Sequence, residues 1–275
     1  MFVDAMLSQG SERLENATDA PRLEAEVLLA SAMGRRRSDL LAHPEWTPTP
    51  EQRAIYHRWL ERRGEGTPLP YLTGQAAFYG LELVVTPDVL IPRPETETLV
   101  DLALALEPQV VVDVGTGSGA IALALAAHLP RAQIIATDLS AAALQVATTN
   151  IRRHGPKDRI HLVQADVVRP LALSADLVIS NPPYVKTDEL ATLPTSVRRY
   201  EPMLALVGGT DGLGVVRQLL ASAGRILRPG GTLLIEIGAG QGTAATTLAH
   251  SLLPGAEVTV HPDLGGRDRV LEVEF

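Results

Sequence analysis

The spacing of apolar residues changes after about residue 72, and before that point it is helical. Residues 21–33 predict one amphipathic helix, which ends at Gly34. Residues 50–64 predict another, behind the capping residue Thr49. The apolar face of the first helix carries Leu23, Val27, Leu28 and Ala30. We therefore predict a small all-helical domain over residues 1–72.

After this domain the pattern is first that of a hairpin and then that of strands alternating with helices. Residues 77–85 predict a β-hairpin, which makes residues 73–90 a linker. From Val110 onward, short β-branched runs alternate with helical runs, which is typical of a mostly parallel sheet. The sequence allows the last two runs, 257–261 and 270–275, to pair as an antiparallel edge without requiring it. An α/β domain is thus predicted over residues 91–275.

The first strand of this domain leads into a glycine loop, Gly115-Thr116-Gly117-Ser118-Gly119, and then into a helix that starts near Ser118. Glycine lets the backbone pass close to a ligand, and a helix start presents unpaired N–H groups. The G-x-G-x-G spacing is one residue shorter than the dinucleotide fingerprint that holds a pyrophosphate. By itself such a loop is weak evidence, but its spacing suits a nucleoside without phosphates.

Polar side chains follow three further apolar runs. Asp138, placed to accept both hydroxyls of a ribose, follows residues 132–137, and Asp166, placed to accept from an adenine amino group, follows residues 160–165. Asn181 ends a third run. One such aspartate is more often a helix cap or a loop charge, whereas a series at strand ends favours a ligand site. The pattern fits S-adenosylmethionine and a nicotinamide nucleotide equally.

The tetrapeptide Asn181-Pro182-Pro183-Tyr184 describes a pocket for a planar amino group. The nitrogen of an amide or nucleobase is a poor nucleophile because its lone pair is delocalised. The Asn181 side-chain oxygen and the Pro182 carbonyl can each accept one N–H and favour a pyramidal nitrogen. The prolines stiffen the loop, and Tyr184 supplies a flat wall. A strand-ending turn explains the tetrapeptide alone about equally well, but the glycine loop upstream favours catalysis.

Together these motifs resemble the PrmC (HemK) family. Its members are S-adenosylmethionine-dependent methyltransferases that modify the glutamine of the Gly-Gly-Gln motif in class I peptide chain release factors. The proline-arginine loop, residues 91–97, is characteristic of this family, whereas generic amino-methyltransferases share only the glycine loop and the Asn-Pro-Pro-Tyr. Val167 stands where some relatives carry a bulky aromatic residue. The other family-like segments are residues 71–74, 113–119, 181–184, 201–202, 205–206 and 263–269.

The resemblance implies a class I methyltransferase fold: Rossmann-like, with a mostly parallel sheet and an antiparallel edge, behind a helical substrate-recognition domain. It implies S-adenosylmethionine as cofactor, S-adenosylhomocysteine as product and no metal. The implied reaction methylates the glutamine side-chain nitrogen and tunes translation termination. The expected partners are class I release factors, and the protein is expected to be a monomer.

The resemblance and the motifs together give a set of expected site residues. Arg93 is a secondary candidate for meeting the substrate or the donor carboxylate, and Asp113 for orienting the glycine loop or the donor amino group. Each is equally consistent with a structural ion pair. The expected catalytic residues are Asn181, Pro182 and Tyr184; the substrate-binding residues are Asn181, Pro182, Pro183 and Tyr184; the cofactor-binding residues are Gly115, Thr116, Gly117, Ser118, Gly119, Asp138, Asp166, Val167 and Asn181.

Composition narrows the class of protein. The net charge of −8 argues against a nucleic-acid substrate, because binders of DNA or RNA usually carry a basic surface. The arginines at 35–37, 58 and 62–63 are locally concentrated, either as solvated helix ends or as a docking surface for a protein substrate. The absence of cysteine excludes disulfides and thiolate metal sites. With no secretory signal or spanning apolar segment in the sequence, we expect a cytoplasmic protein.

Three other functions fit part of the sequence. An amino-methyltransferase acting on adenine or guanine uses the same acceptors, but it is expected to carry a basic groove or a base-recognition segment. A catalytically silent nucleotide-binding module has no need for the amide acceptors of residues 181–184. A nicotinamide dehydrogenase is disfavoured by the glycine spacing and by the absence of a hydride-partner histidine or tyrosine motif.

Overall fold

The computed structural model describes residues 1–155, 157–167 and 173–275, which divide into two compact units. The first unit comprises Met1–Gln75 and Pro194–Tyr200, and the second comprises Ala76–Leu193 and Glu201–Phe275. The return of the chain to the first unit at Pro194–Tyr200 was not predicted. The proposed domain boundaries after residues 72 and 90 remain predictions.

The first unit is helical. Thr49 caps α4 with a capping box to Gln52, and Gly34 ends α2 in the left-handed conformation, as the sequence predicts. The hydroxyl of Tyr56 donates to the carbonyl of Met6 in the core. The helices are α1 Val3–Leu14, α2 Pro21–Met33, α3 Arg37–Ala42, α4 Pro50–Gly64, α5 Leu69–Thr73 and α9 Thr195–Tyr200. The hydroxyl of Tyr200 in α9 donates to the carbonyl of Glu65.

The apolar face of α2 differs from the prediction. Leu28 and Ala30 are buried, but Leu23 is 43% exposed, and Ala25 and Leu29 complete the buried face instead. Leu23 precedes Ala25 by two residues and therefore lies on the nearly opposite side of the helix. The sequence thus predicts the helix and its ends correctly, but of the four residues assigned to its apolar face Leu23 is exposed and Val27 is only partly buried.

The second unit contains a seven-stranded sheet in the order β5-β4-β3-β6-β7-β9-β8. The predicted hairpin forms a separate two-stranded sheet of β1 Gln75–Phe78 and β2 Leu81–Val84. The strands of the large sheet are β3 Val110–Val114, β4 Gln133–Asp138, β5 Ile160–Gln164, β6 Ala175–Ser180, β7 Leu227–Glu236, β8 Glu257–Pro262 and β9 Asp268–Glu274. The helices are α6 Glu97–Ala105, α7 Ala120–His128, α8 Ala141–His154, α10 Gly214–Ser222 and α11 Gly242–Leu252.

Strands β3 to β7 pair in parallel, whereas β9 pairs antiparallel with both β7 and β8. This confirms the predicted mostly parallel sheet with an antiparallel edge. One apolar core contains residues of α6 and α7, and a second contains residues of α10 and α11. The chain runs from β3 through β4 to β5 on one side and then crosses to β6 on the other. Open α/β sheets bind ligands at such a switch point, outside the carboxyl ends of the strands.

No helix within the described residues is long and apolar enough to cross a membrane.

Candidate active site

A cavity of about 340 Å³ lies at the carboxyl ends of β3, β4, β5 and β6. Its volume is in the range of small-molecule sites, roughly 300 to 1,000 Å³. Of the predicted site residues, it is lined by Gly115, Thr116, Gly117, Ser118, Asp138, Asp166, Val167, Asn181 and Pro183. Gly119, Pro182 and Tyr184 are not among the lining residues. The structure therefore brings most of the predicted set together around one cavity.

The glycine loop, residues 115–119, is held by backbone hydrogen bonds to the end of β4. The N–H groups of Gly115 and Thr116 both donate to the Thr137 carbonyl, each at 2.8 Å. Gly115 and Gly117 have φ values of 73° and 56°, which favour glycine. The helix after the loop starts at Ala120 rather than at Ser118.

Asp138 joins the end of β4 to the glycine loop. Its Oδ2 accepts the Gly117 N–H at 2.9 Å, and its Oδ1 accepts the Ser140 N–H at 2.8 Å. Burial raises the pKa of the Asp138 carboxyl, and these N–H groups oppose that shift. Each carboxylate oxygen can accept more than one hydrogen bond, so Asp138 keeps acceptor capacity on the cavity side.

Asp113 is fully buried beneath the glycine loop and does not line the cavity. Its Oδ2 accepts from the Thr116 hydroxyl at 2.7 Å, whereas no donor of the described residues meets hydrogen-bond geometry at its Oδ1. Burial raises the pKa of the Asp113 carboxyl to about 7, and the nearby charge of Asp138 adds to this shift. Through Thr116, Asp113 fixes the glycine loop.

Among the residues that the structure describes, the charged residues that line the cavity are all acidic. They are Asp88, Asp138 and Asp166, and this described part of the lining contains no lysine, arginine or histidine. The N-terminus of α7 lies at this cavity, but phosphate sites normally add cationic side chains to such a terminus. An acidic lining instead suits a ligand without phosphates that carries positive charge.

Asn181 is held from the side by two residues that sequence reasoning missed. Its Nδ2 donates to the Thr96 hydroxyl at 2.9 Å, and that hydroxyl donates to Oε2 of Glu236 at 2.6 Å. Thr96 lies in the proline-arginine loop, and Glu236 is the last residue of β7. The rule that located Asp138, a polar residue ending an apolar strand, applies to Glu236 as well. No sequence signal links it to Thr96.

Glu236 is only 1% exposed. Burial raises the pKa of its carboxyl to about 7, while the Thr96 hydrogen bond and the positive charge of Arg269 act in the opposite direction.

The backbone after Asn181 is packed closely against a glycine-rich turn, residues 208–214. A Cβ atom on Gly208 would lie 2.6 Å from the Pro183 carbonyl oxygen, and one on Gly212 would overlap that of Tyr184. The Gln241 side chain donates to the Tyr184 carbonyl at 3.1 Å and accepts the Gly238 N–H at 2.8 Å. This packing fixes the path of residues 181–184.

Arg93 does not line the cavity but pairs with Glu201. The other carboxylate oxygen of Glu201 accepts the Ile91 N–H at 3.3 Å. The pair fastens the proline-arginine loop to the segment that begins at Glu201, and Pro92 and Pro202 from these two segments line the cavity. Of the two predicted alternatives for Arg93, the structure shows an ion pair within the protein.

Two family models and many curated relatives match the chain. The PrmC N-terminal domain model matches residues 5–74, and the methyltransferase small domain model matches residues 95–196. The release factor glutamine methyltransferase of Moorella thermoacetica is 47% identical over 275 residues, covering 98% of this chain and 97% of that protein. That of Rhodopirellula baltica is 38% identical over 270 residues, covering 94% and 91%.

Solved structures support the fold. A Pyrococcus furiosus methyltransferase gives a TM-score of 0.56 at 20% identity, covering 72% of this chain and 90% of that chain. The human methyltransferase 10 domain containing protein gives 0.52 at 17% identity, covering 72% and 89%. These likenesses, with the sheet topology, confirm the predicted class I methyltransferase fold. The release factor glutamine methyltransferases of Moorella thermoacetica and Rhodopirellula baltica match this chain over nearly its whole length, at 47% and 38% identity. The chain therefore belongs to the PrmC family of release factor glutamine methyltransferases.

Proposed function

We propose that this protein transfers a methyl group from S-adenosylmethionine to the side-chain nitrogen of the glutamine in the Gly-Gly-Gln motif of class I peptide chain release factors, and thereby tunes translation termination. The observation that carries the proposal is the placement of Asn181, an amide acceptor, at the edge of an acidic nucleoside-sized cavity. The full-length similarity to release factor glutamine methyltransferases supports the choice of substrate.

The cavity residues fit S-adenosylmethionine. This cofactor supplies a methyl group bonded to a positively charged sulfur. Asp138 keeps acceptor capacity for ribose hydroxyls, and the exposed Asp166 is available for an adenine amino group. The glycine loop lets the backbone approach the ligand closely, and the acidic lining suits its positive charge. Val167, whose φ is 57°, completes this side of the cavity.

Residues 181–184 would bind the glutamine side chain of the substrate. In the proposal, the Asn181 side-chain oxygen and the Pro182 carbonyl accept the two N–H groups of the glutamine amide and turn its lone pair toward the methyl donor. Pro183 shapes the loop, and Tyr184 packs against the amide plane. Holding the reacting atoms in contact supplies most of the rate, so no strong general base is needed beforehand.

A direct test is intact-mass spectrometry of an unmethylated class I release factor after incubation with this protein and S-adenosylmethionine. We expect a mass gain of one methyl group. A release factor with alanine in place of the Gly-Gly-Gln glutamine should gain none. If neither gains mass while S-adenosylhomocysteine still binds, the substrate assignment is wrong, and a nucleic-acid amino group becomes the acceptor to test.

We further propose that the helical unit recognises the release factor as a protein partner of the monomeric, cytoplasmic enzyme. Arg58 and Arg62 support this proposal, because they are exposed and lie one turn apart on α4. The double variant Arg58→Glu with Arg62→Glu should raise KM for an intact release factor. KM for a short peptide containing Gly-Gly-Gln should stay the same, since a short peptide reaches only the cavity. An equal rise in both KM values would contradict docking on this helix.

A further inference from the structure

Three side chains from distant parts of the second unit form a hydrogen-bonded chain at the edge of the cavity. Asn181 follows β6, Thr96 precedes α6 and Glu236 ends β7. Thr96 and Glu236 are buried, whereas Asn181 lines the cavity. The Asn181 side-chain nitrogen lies 2.9 Å from the Thr96 hydroxyl oxygen, which lies 2.6 Å from Oε2 of Glu236.

The number of protons in this chain determines which way the Asn181 amide faces. An ionised carboxylate only accepts hydrogen bonds, so Thr96 must give its single hydroxyl proton to Glu236. The Thr96 oxygen can then only accept, and the group that donates to it must be the NH2 of Asn181. The Asn181 oxygen consequently faces away from Thr96, toward the cavity. Without these neighbours, nothing in the asparagine side chain itself would favour its oxygen rather than its NH2 facing the cavity.

We propose that Thr96 and Glu236 are positioning residues, which act through Asn181 to present its side-chain oxygen to the substrate amide. This inference rests on the proposed function. Protonation of Glu236 would allow the reverse order, in which Glu236 donates to Thr96 and Thr96 donates to the Asn181 oxygen. The Asn181 NH2 would then face the substrate NH2, and two donors cannot bond to each other.

The surroundings of Glu236 bring its titration close to neutrality. Arg269 and Arg93 contribute positive charge, Glu95 contributes negative charge, and the Tyr184 ring lies nearby. Arg269 is itself paired with Asp263 and donates to the Ile237 carbonyl. Burial dominates and raises the pKa of Glu236 to about 7. The productive orientation of Asn181 therefore forms as the pH rises through about 7.

The first experiment replaces the hydroxyl. Thr96→Val keeps the shape of the side chain but breaks both hydrogen bonds, so kcat should fall about 10-fold to 100-fold with affinity for S-adenosylhomocysteine within about 2-fold of wild type. Thr96→Ser should restore most of kcat. Thr232→Val is the matched control: Thr232 is also buried and lies on β7, but no side-chain hydrogen bond joins it to Asn181. Unchanged kcat in Thr96→Val would overturn the proposal.

The second experiment follows orientation without relying on turnover. In protein labelled with ¹⁵N, the Asn181 side-chain NH2 resonance should shift with a midpoint near pH 7, and Glu236→Gln should abolish that transition. Thr96→Ser should retain the transition. A pH-independent wild-type resonance, or a transition that survives in Glu236→Gln, would refute the positioning role even if Thr96→Val proved too unstable to assay.

The two experiments separate failure of this inference from failure of the proposed function. If wild-type protein does not methylate a release factor but shows the Asn181 transition, the substrate is wrong and the positioning chain stands. If wild-type protein methylates and Thr96→Val does so equally fast, the function stands and the positioning chain is wrong.

Discussion

At the scale of single residues, different side chains are proposed to bind the methyl donor and the glutamine amide that accepts the methyl group. Asp138 lies at the end of β4 with both carboxylate oxygens engaged by backbone N–H groups. Asn181 lies at the end of β6 and is held through its nitrogen by Thr96. Because no hydrogen bond joins these two side chains, substitutions at these positions should change different kinetic constants.

Asn181→Ala should lower kcat on the order of 10²-fold to 10³-fold, because it removes one preorganised acceptor for the substrate amide. Affinity for S-adenosylhomocysteine, measured by calorimetry, should fall much less. Equal kcat in the variant and in wild type would remove Asn181 from its proposed role.

Asp138→Asn should act on the donor instead. Replacing the carboxylate weakens hydrogen bonds to a charged acceptor, so affinity for S-adenosylhomocysteine should fall roughly 10-fold to 100-fold. The value of kcat at saturating S-adenosylmethionine should stay within a few-fold of wild type. A large loss of kcat with intact affinity would show that Asp138 serves the substrate side. Glu82→Gln, on the exposed surface of β2, provides a control carboxylate.

At the scale of elements, the sequence predicts those parts of the site that follow from one strand and its end. The strand ends before Gly115, at Asp138 and at Asn181 are visible as apolar runs, and the structure places all three around the cavity. Thr96 and Glu236 are 140 positions apart, and their contact depends on how α6 packs near β7. The pattern of apolar and polar residues along the sequence does not show which residues so far apart come into contact. Leu23 was misassigned for a related reason, since helix neighbours decide which face is buried.

The turn of residues 208–214 packs against the backbone of residues 183 and 184. The variant Gly212→Ala tests whether this packing holds the 181–184 loop in place. Gly212 has a φ of 74°, and an added Cβ would overlap the Tyr184 carbonyl. Gly209 has a φ of 93° but open space around its Cβ position, which makes Gly209→Ala a matched control. Both variants pay a backbone cost of about 1 to 2 kcal/mol in stability, but only Gly212→Ala should displace residues 181–184 and lower kcat at least 10-fold. Equal kcat in the two variants would show that the turn does not hold the loop.

At the scale of the whole molecule, two buried carboxyl groups make stability depend on pH. The pKa values of Asp113 and Glu236 are raised to about 7 from ordinary values of 3.8 and 4.5. Between these limits the folded protein binds more protons than the unfolded chain. The contribution of these two carboxyl groups to the free energy of unfolding is therefore fully present below about pH 4 and is lost as the pH rises through 7.

Urea denaturation between pH 5 and pH 7 should consequently show a free energy of unfolding that falls with pH. Each group contributes a slope of up to about 1.4 kcal/mol per pH unit. Asp113→Asn and Glu236→Gln should each flatten the dependence, and the double variant should flatten it most. If the double variant keeps the wild-type slope, other groups control the pH dependence.

The passage of α9 through the helical unit has a consequence for evolution and engineering. Pro194–Tyr200 belongs with Met1–Gln75, although it is encoded between residues 181–184 and β7. The helical unit is therefore discontinuous in the gene, and the Tyr200 bond to Glu65 crosses the break. A chimera that takes only residues 1–75 from a relative would pack that relative's helices against the Pro194–Tyr200 segment of this protein. Exchanging the complete helical unit therefore needs three crossovers, after residues 75, 193 and 200, so that both of its segments come from the same relative.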